Sequence, residues 1–463
     1  MGRLPTTYGP ATMRLLVLAA LALPAAGAQA QTAANLNALR GLAPVTALDN
    51  TAAGKAALAA NLTITGAIQN GIAHRPTLLP FPEQQQQALR DAYITSGDAS
   101  GLADALGSKL GGVYQTAAST TSTDDGKTVS VTNISPAVAR LIAYAYLTTG
   151  SDSASGKFFF ANATLDGKKP VSSEAIAVLK AVDGIPDIFG KTYGLAAGSQ
   201  GADLYGDSRP FQTEPHFTPI NGKDFFAVQS SNIAYLRGPA QNLVDSPSYP
   251  SGHTTYGYTE ALVLALLVPQ RYEQMITRGA EYGDNRIIMG AHYTMDVLGG
   301  RTLALYDIAQ LLANKPGYVA VARNGVQIDN FGDALAAARA DVTKALEAGC
   351  GNTVAVCATQ DKSRFAHQAR NQAFYEVTQT YGLPVVFAHN AKGREDVGKL
   401  APEAGYLLTA AFPTLTLAQA DAILTATEGP GGGFLDNGSA FGIYSRLDLY
   451  RAAEKAIAVA HPR

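Results

Sequence analysis

The sequence predicts an all-α fold. Apolar residues recur at helical spacing in seven stretches: 83–106, 135–149, 173–182, 254–268, 292–313, 331–348 and 417–426. Strand-like alternation is scarce. Helix-start signals stand where they should, with Pro136 one place after Ser135 and the Ser172–Glu174 segment opening the third stretch. Taken in order, 118–126 is rich in Ser, Thr and Asp and reads as a surface loop, and the Thr/Val alternation of 128–131 reads as half of a hairpin. Residues 194–219 mix Gly, Asp, Ser and Pro into a long irregular segment of the kind that is often functional. Residues 429–433, GPGGG, read as a flexible turn. The expected organisation is a leader at 1–30, an N-terminal helical region at 31–130, a core at 131–315 and a C-terminal helical extension at 316–463.

Composition narrows the functional classes. The chain has 463 residues, with 35 basic against 37 acidic side chains. That balance gives no basic face for nucleic acid, so none is expected as a partner. Residues 15–26 form a short apolar run after Arg14, and Ala28-Gln29-Ala30 supplies a small-x-small pattern before a cut at Gln31. The run falls short of the roughly 20 residues of a membrane span, so it reads as an export signal, with Met13 a candidate start. The longest later apolar run, 261–269, is no longer than a helix segment. A periplasmic or secreted protein with no span after signal cleavage is therefore expected. Cys350 and Cys357, with six residues between them, fit a small-loop disulfide in an oxidising compartment.

Three segments carry chemistry. The first is Asp207-Ser208-Arg209-Pro210-Phe211. The second, Ser248-Tyr249-Pro250-Ser251-Gly252-His253-Thr254, directly precedes an apolar helix. Amides at a helix start point at bound anions, Ser251 adds a hydroxyl, and Gly252 lets an anion approach the backbone. The same residues also make an ordinary helix cap with a surface His. In the third segment Arg286 precedes His292 by six places, and Asp296 follows it by four, so on a helix His292 and Asp296 share a face. A carboxylate there can hold one ring nitrogen and leave the other as a lone-pair donor, while Arg286 offers a fork for anionic oxygens. Two Arg, a helix start and two His in distinct settings suit phosphoryl transfer to a His nucleophile, which needs charge stabilisation and positioning.

These strings resemble the type 2 phosphatidic acid phosphatase and vanadium haloperoxidase superfamily, whose pattern runs K-x6-R-P, P-S-G-H, S-R-x5-H-x3-D. The order is kept, with 39 residues between Pro210 and Pro250 and 31 between His253 and Asn285. SYPSGHT and EYGDNRIIMGAHYTMDVLGGR are similar to bacterial class A non-specific acid phosphatases. The resemblance implies a helical bundle with N- and C-terminal additions and no metal. By position it implies that His292 attacks phosphorus, that Asp296 orients it and that His253 serves as acid and base. Arg209, Ser251, Gly252 and Arg286 would hold the phosphate oxygens. Two positions depart: the pattern's Lys falls on Ala202, leaving Lys191 or Lys223 as candidates to replace it, and Asn285 stands for Ser. An acid phosphatase acting on small phosphorylated substrates is the first reading, with no cofactor and vanadate as an inhibitor. A haloperoxidase using vanadate as cofactor and a lipid-phosphate phosphatase at a membrane surface are the alternatives, and the oligomeric state is left open. The stretch from Leu435 to Asp448 is read either as packing near the mouth of the site or as a capping turn before a last helix.

Overall fold

The helix Gly252–Leu267 is buried at every position from His253 to Leu267, and the fold is arranged around it. A helix without a polar face belongs in an interior. In the computed structural model, which describes residues 32–92, 94, 97, 99–118, 120–124, 127–131, 134–162, 172–181, 188–189, 207–213, 222–223, 229–230 and 246–460, this helix is labelled α7. Before it come α1 (Ala33–Leu42), α2 (Ala52–Gln69), α3 (Phe81–Asp91), α4 (Leu110–Ala118), α5 (Pro136–Asn162) and α6 (Ser173–Lys180). After it come α8 (Tyr272–Ile288), α9 (Thr294–Leu312) and α10 (Phe331–Cys350). Shorter helices follow to the last one, Leu449–Ala460. The fold is all-α, with two short antiparallel strand pairs, Thr120–Asp124 with Lys127–Val131 and Gly222–Lys223 with Gln229–Ser230.

Helix α7 packs on α5, α8 and α9. Gly300 permits a close approach of backbone to backbone: a Cβ there would lie 2.5 Å from the Ser251 carbonyl oxygen, so any other residue would push α9 off the start of α7. One core cluster joins residues from Ala34 to Ala456, and a second gathers around Tyr249 and the start of α9. Among the described residues no helix is long and apolar enough to cross a membrane.

Several expectations shift. The stretch 83–106 divides into α3 and a 3-10 segment, Ala99–Leu106. The expected helix at 135–149 runs on to Asn162, carrying Lys157 with it. The loop at 118–126 contains a strand, Thr120–Asp124, because it supplies the partner for the strand expected at 128–131. Helix α8 escapes the apolar pattern altogether because its polar residues face inward. Arg278 pairs with Asp91 and Asp104, Arg75 with Asp284, and Arg364 with Glu281 and Asp104. Such buried pairs specify packing more than they stabilise it, so periodicity of hydrophobicity misses them. Cys350 and Cys357 form a disulfide. The leader and most of 194–219 lie outside the described residues, within which the Pro210–Thr213 turn is helical.

A buried pair of acids outside the site sets a pH dependence. Asp152 on α5 and Asp307 on α9 are both fully buried, and their carboxyl groups meet each other. Burial raises both carboxyls above the ordinary range, Asp152 to about 7 against the Arg323 charge and hydrogen bonds with Asn35 and Asp307, and the charge and hydrogen bond of Asp152 raise Asp307 further. The folded chain therefore holds protons there that the unfolded chain releases above about pH 4. The stability from Asp152 is fully present below about pH 4 and is lost as pH rises to about 7, at about 1.4 kcal/mol per pH unit for the proton held, and that from Asp307 is lost over a window reaching to higher pH. Asp307→Asn should flatten the rise in melting temperature on acidification between pH 8 and pH 5. Parallel profiles for variant and wild type would remove the pair as the cause.

Candidate active site

The three segments converge where α7 and α9 begin. Ser251 is the N-cap of α7, its hydroxyl accepting from Thr254 N–H at 3.1 Å, while its own amide donates to the Asp296 carbonyl at 3.0 Å. The first residue of the helix is Gly252, whose amide has no intrahelical partner by position. The positive end of a 16-residue helix thus opens at this point. Ser248 N–H donates to the Asp207 carbonyl at 2.9 Å, and Tyr249 N–H to the Asp207 carboxylate at 2.8 Å. These bonds tie the loop before α7 to the segment carrying Arg209.

His292 does not lie on a helix, as the shared-face reading supposed. It stands in the connection before α9, one place ahead of the N-cap Tyr293. The contact with Asp296 forms for another reason. Asp296 is the third residue of α9, and its carboxylate folds back to accept the Tyr293 N–H at 2.8 Å, as acids in a first turn do. That brings Oδ2 within 3.4 Å of His292 Nδ1. Helix α2 steadies the same turn: Thr65 Oγ1 accepts from Thr294 N–H at 3.1 Å and Asn61 Oδ1 from Met295 N–H at 3.0 Å.

The other imidazole nitrogen, Nε2, lies 3.0 Å from Nη1 of Arg209. Arginine can only donate, so Nε2 carries the lone pair and the proton sits on Nδ1, facing Asp296. Burial is the main force holding the His292 pKa well below the ordinary histidine value, and the charges of Arg209, Lys157, Arg286 and His253 add to it. The Asp296 carboxyl is raised by burial, against hydrogen bonds from Ser248 and Tyr293 that lower it. Arg209 is itself buried, donating to the Ser246 carbonyl (2.9 Å), the Ala291 carbonyl (2.8 Å) and the Pro247 carbonyl (3.1 Å).

Arg286, near the end of α8, is fully buried. None of its three guanidinium nitrogens has a hydrogen-bond partner among the described residues. A buried, unpaired cation is costly, and such groups commonly answer to a ligand anion. His253 occupies the second position of α7, buried, with its ring 4.9 Å from that of Tyr256.

All seven residues singled out in the sequence thus lie at one end of the bundle. Asn285, standing for Ser, turns away to bond Asp91 at 2.7 Å and Gln84 at 2.6 Å. Two polar groups escaped notice. Ser248, within the second segment, hydrogen-bonds the Asp296 carboxylate and lies 3.3 Å from His292 Nδ1. Lys157 reaches the same region from α5, where nothing in its local sequence marks it. Ala202 and Lys191 lie outside the described residues, as does the Lys223 side chain. The C-terminal region braces the back of the site, with Phe434 against the Tyr249 ring at 6.4 Å and Arg301 donating to the Leu447 carbonyl at 2.9 Å. Asp448 Oδ1 accepts from the Arg451 N–H at 3.0 Å at the start of the last helix, which is the capping turn of the second reading of 435–448.

The fold is an all-α bundle with Arg209, Arg286 and the start of α7 gathered around a buried histidine. Residues 192–312, which hold all three segments, match the model of the PAP2 superfamily. Over 64 residues the chain is 47% identical to the non-specific acid phosphatase of Salmonella typhimurium, covering 14% of this chain and 26% of that protein. An acid phosphatase of Zymomonas mobilis is 47% identical over 64 residues, 14% of this chain and 24% of that protein. The non-specific acid phosphatase of Providencia stuartii is 42% identical over 109 residues, 24% of this chain and 42% of that protein. The matched stretches span about a quarter to two-fifths of these relatives.

Proposed function

We propose that this chain is an exported acid phosphatase that hydrolyses small phosphate monoesters through a phosphohistidine on His292. The observation that carries the reading is Arg286, a buried guanidinium without a hydrogen-bond partner among the described residues, within electrostatic reach of a histidine whose Nε2 holds a lone pair. In the first step Nε2 attacks phosphorus, the ester P–O bond breaks, and His253 gives its proton to the departing alkoxide. In the second, His253 takes a proton from water, whose oxygen attacks phosphorus. The P–N bond breaks and inorganic phosphate leaves. Arg209, Arg286, the Ser251 hydroxyl and the Gly252 amide hold the three equatorial oxygens, where charge gathers in the transition state. Proton transfer of this kind is worth roughly 10²–10⁴-fold.

The apolar run at 15–26 and the Cys350–Cys357 disulfide support export to the periplasm or the medium. Purified protein should release phosphate from an aryl phosphate, keep its rate in the presence of a chelator and be inhibited by micromolar vanadate. Loss of turnover with the chelator would sink the metal-free route. Halide oxidation with vanadate and peroxide, in a preparation lacking phosphatase turnover, would replace this reading with the haloperoxidase one.

A further inference from the structure

The family pattern's lysine falls on Ala202, so the cradle lacks one cation from its own segment. Lys157 enters from a different part of the chain. It lies on α5, and its ammonium donates to the Pro247 carbonyl at 2.9 Å and to Ser246 Oγ at 3.5 Å. Arg209 Nη2 uses the same two oxygens, at 3.1 and 3.2 Å. Ammonium and guanidinium therefore stand side by side on one pair of acceptors. The lysine also reaches the helix start: a Cβ built on Gly252 would lie 3.4 Å from its Cε and 3.9 Å from its Nζ. An ammonium has three donors, and these two bonds occupy two of them.

We propose that Lys157 is a phosphate-binding residue, supplying from α5 the cation that the segment before Arg209 lacks at Ala202. This rests on the phosphatase reading of the same site. The electrostatics agree with the geometry. Burial lowers the Lys157 pKa and the neighbouring Arg209 and Arg286 lower it further, against Asp207 and Asp296. A phosphate dianion among three such cations relieves their mutual repulsion and holds Lys157 protonated. The site thereby keeps its charge although the sequence spacing of the lysine is lost, because a side chain on a neighbouring helix can reach the same point in space.

The test uses the full chain and inorganic phosphate. Lys157→Met should raise the inhibition constant for phosphate by about 10–100-fold and lower kcat/KM similarly, the worth of one charge-assisted hydrogen bond. Lys157→Arg should retain most of both. Wild-type phosphate and vanadate inhibition in Lys157→Met would overturn the assignment. Where that variant fails to fold, the wild-type chain decides: an amine-reactive label read by peptide mass spectrometry should modify Lys157 less in millimolar phosphate than in chloride. Labelling that phosphate leaves unchanged would also overturn it. A wild-type chain that neither hydrolyses an aryl phosphate nor gains melting temperature in millimolar phosphate would overturn the phosphatase reading itself.

Discussion

His292→Ala should lower the turnover of an aryl phosphate by more than about 10³-fold, since in the proposed route the step that forms the P–N bond has no substitute at Nε2. The fold should survive, because the imidazole makes its contacts at the site rather than in either core cluster. Acid quench of the wild type during turnover should trap an acid-labile phosphoprotein that the variant never forms. A variant retaining a tenth of wild-type turnover would remove His292 as nucleophile. The geometry also fixes the sign of the pH dependence. Burial and the nearby cations hold the His292 pKa well below 6.5 in the free protein, so the imidazole keeps its lone pair in acid, where an ordinary histidine is protonated. The acidic limb of kcat/KM should accordingly lie below pH 6.5, as an acid phosphatase requires.

Arg286→Met should produce the second large effect, and in two opposite directions. Losing one charged clamp on the transferring phosphoryl group costs about 10²–10³-fold in kcat. The same change should raise the melting temperature without ligand, because it replaces a fully buried guanidinium, without a hydrogen-bond partner among the described residues, by an apolar side chain of similar reach. Phosphate should raise the melting temperature of the wild type, as any ligand of the folded state does, and should have a much smaller effect on the variant. Equal stabilisation of both by phosphate would show that Arg286 does not meet the anion. A site kept unstable until its anion arrives is the expected trade between stability and function.

Much of the site is legible because its parts are local. A serine before an apolar run caps a helix, and glycine after it opens the amide end. An aspartate four places beyond a histidine can reach it, whether both lie on a helix or, as here, the acid caps a helix that starts between them. Helices α7, α9 and α10 show in the sequence for the same reason, since their apolar residues recur within one or two turns. Helix α8 does not show. Its buried face is made of Arg278, Glu281, Asp284 and Asn285, whose partners stand far away at Asp91, Asp104, Arg75 and Arg364.

The amino-acid sequence by itself determined the all-α class, the capped helix start at Ser251 and Gly252, and the histidine–aspartate pair. Each depends on hydrogen bonds and spacing within a few residues. Only the tertiary structure decided that Arg209 meets His292 Nε2, that Ser248 holds Asp296, and that Lys157 stands beside Arg209. Those contacts join residues 38 to 90 positions apart. Their geometry follows from how α5, α7 and α9 pack, with Gly300 setting how closely two of them approach, and no local periodicity encodes it.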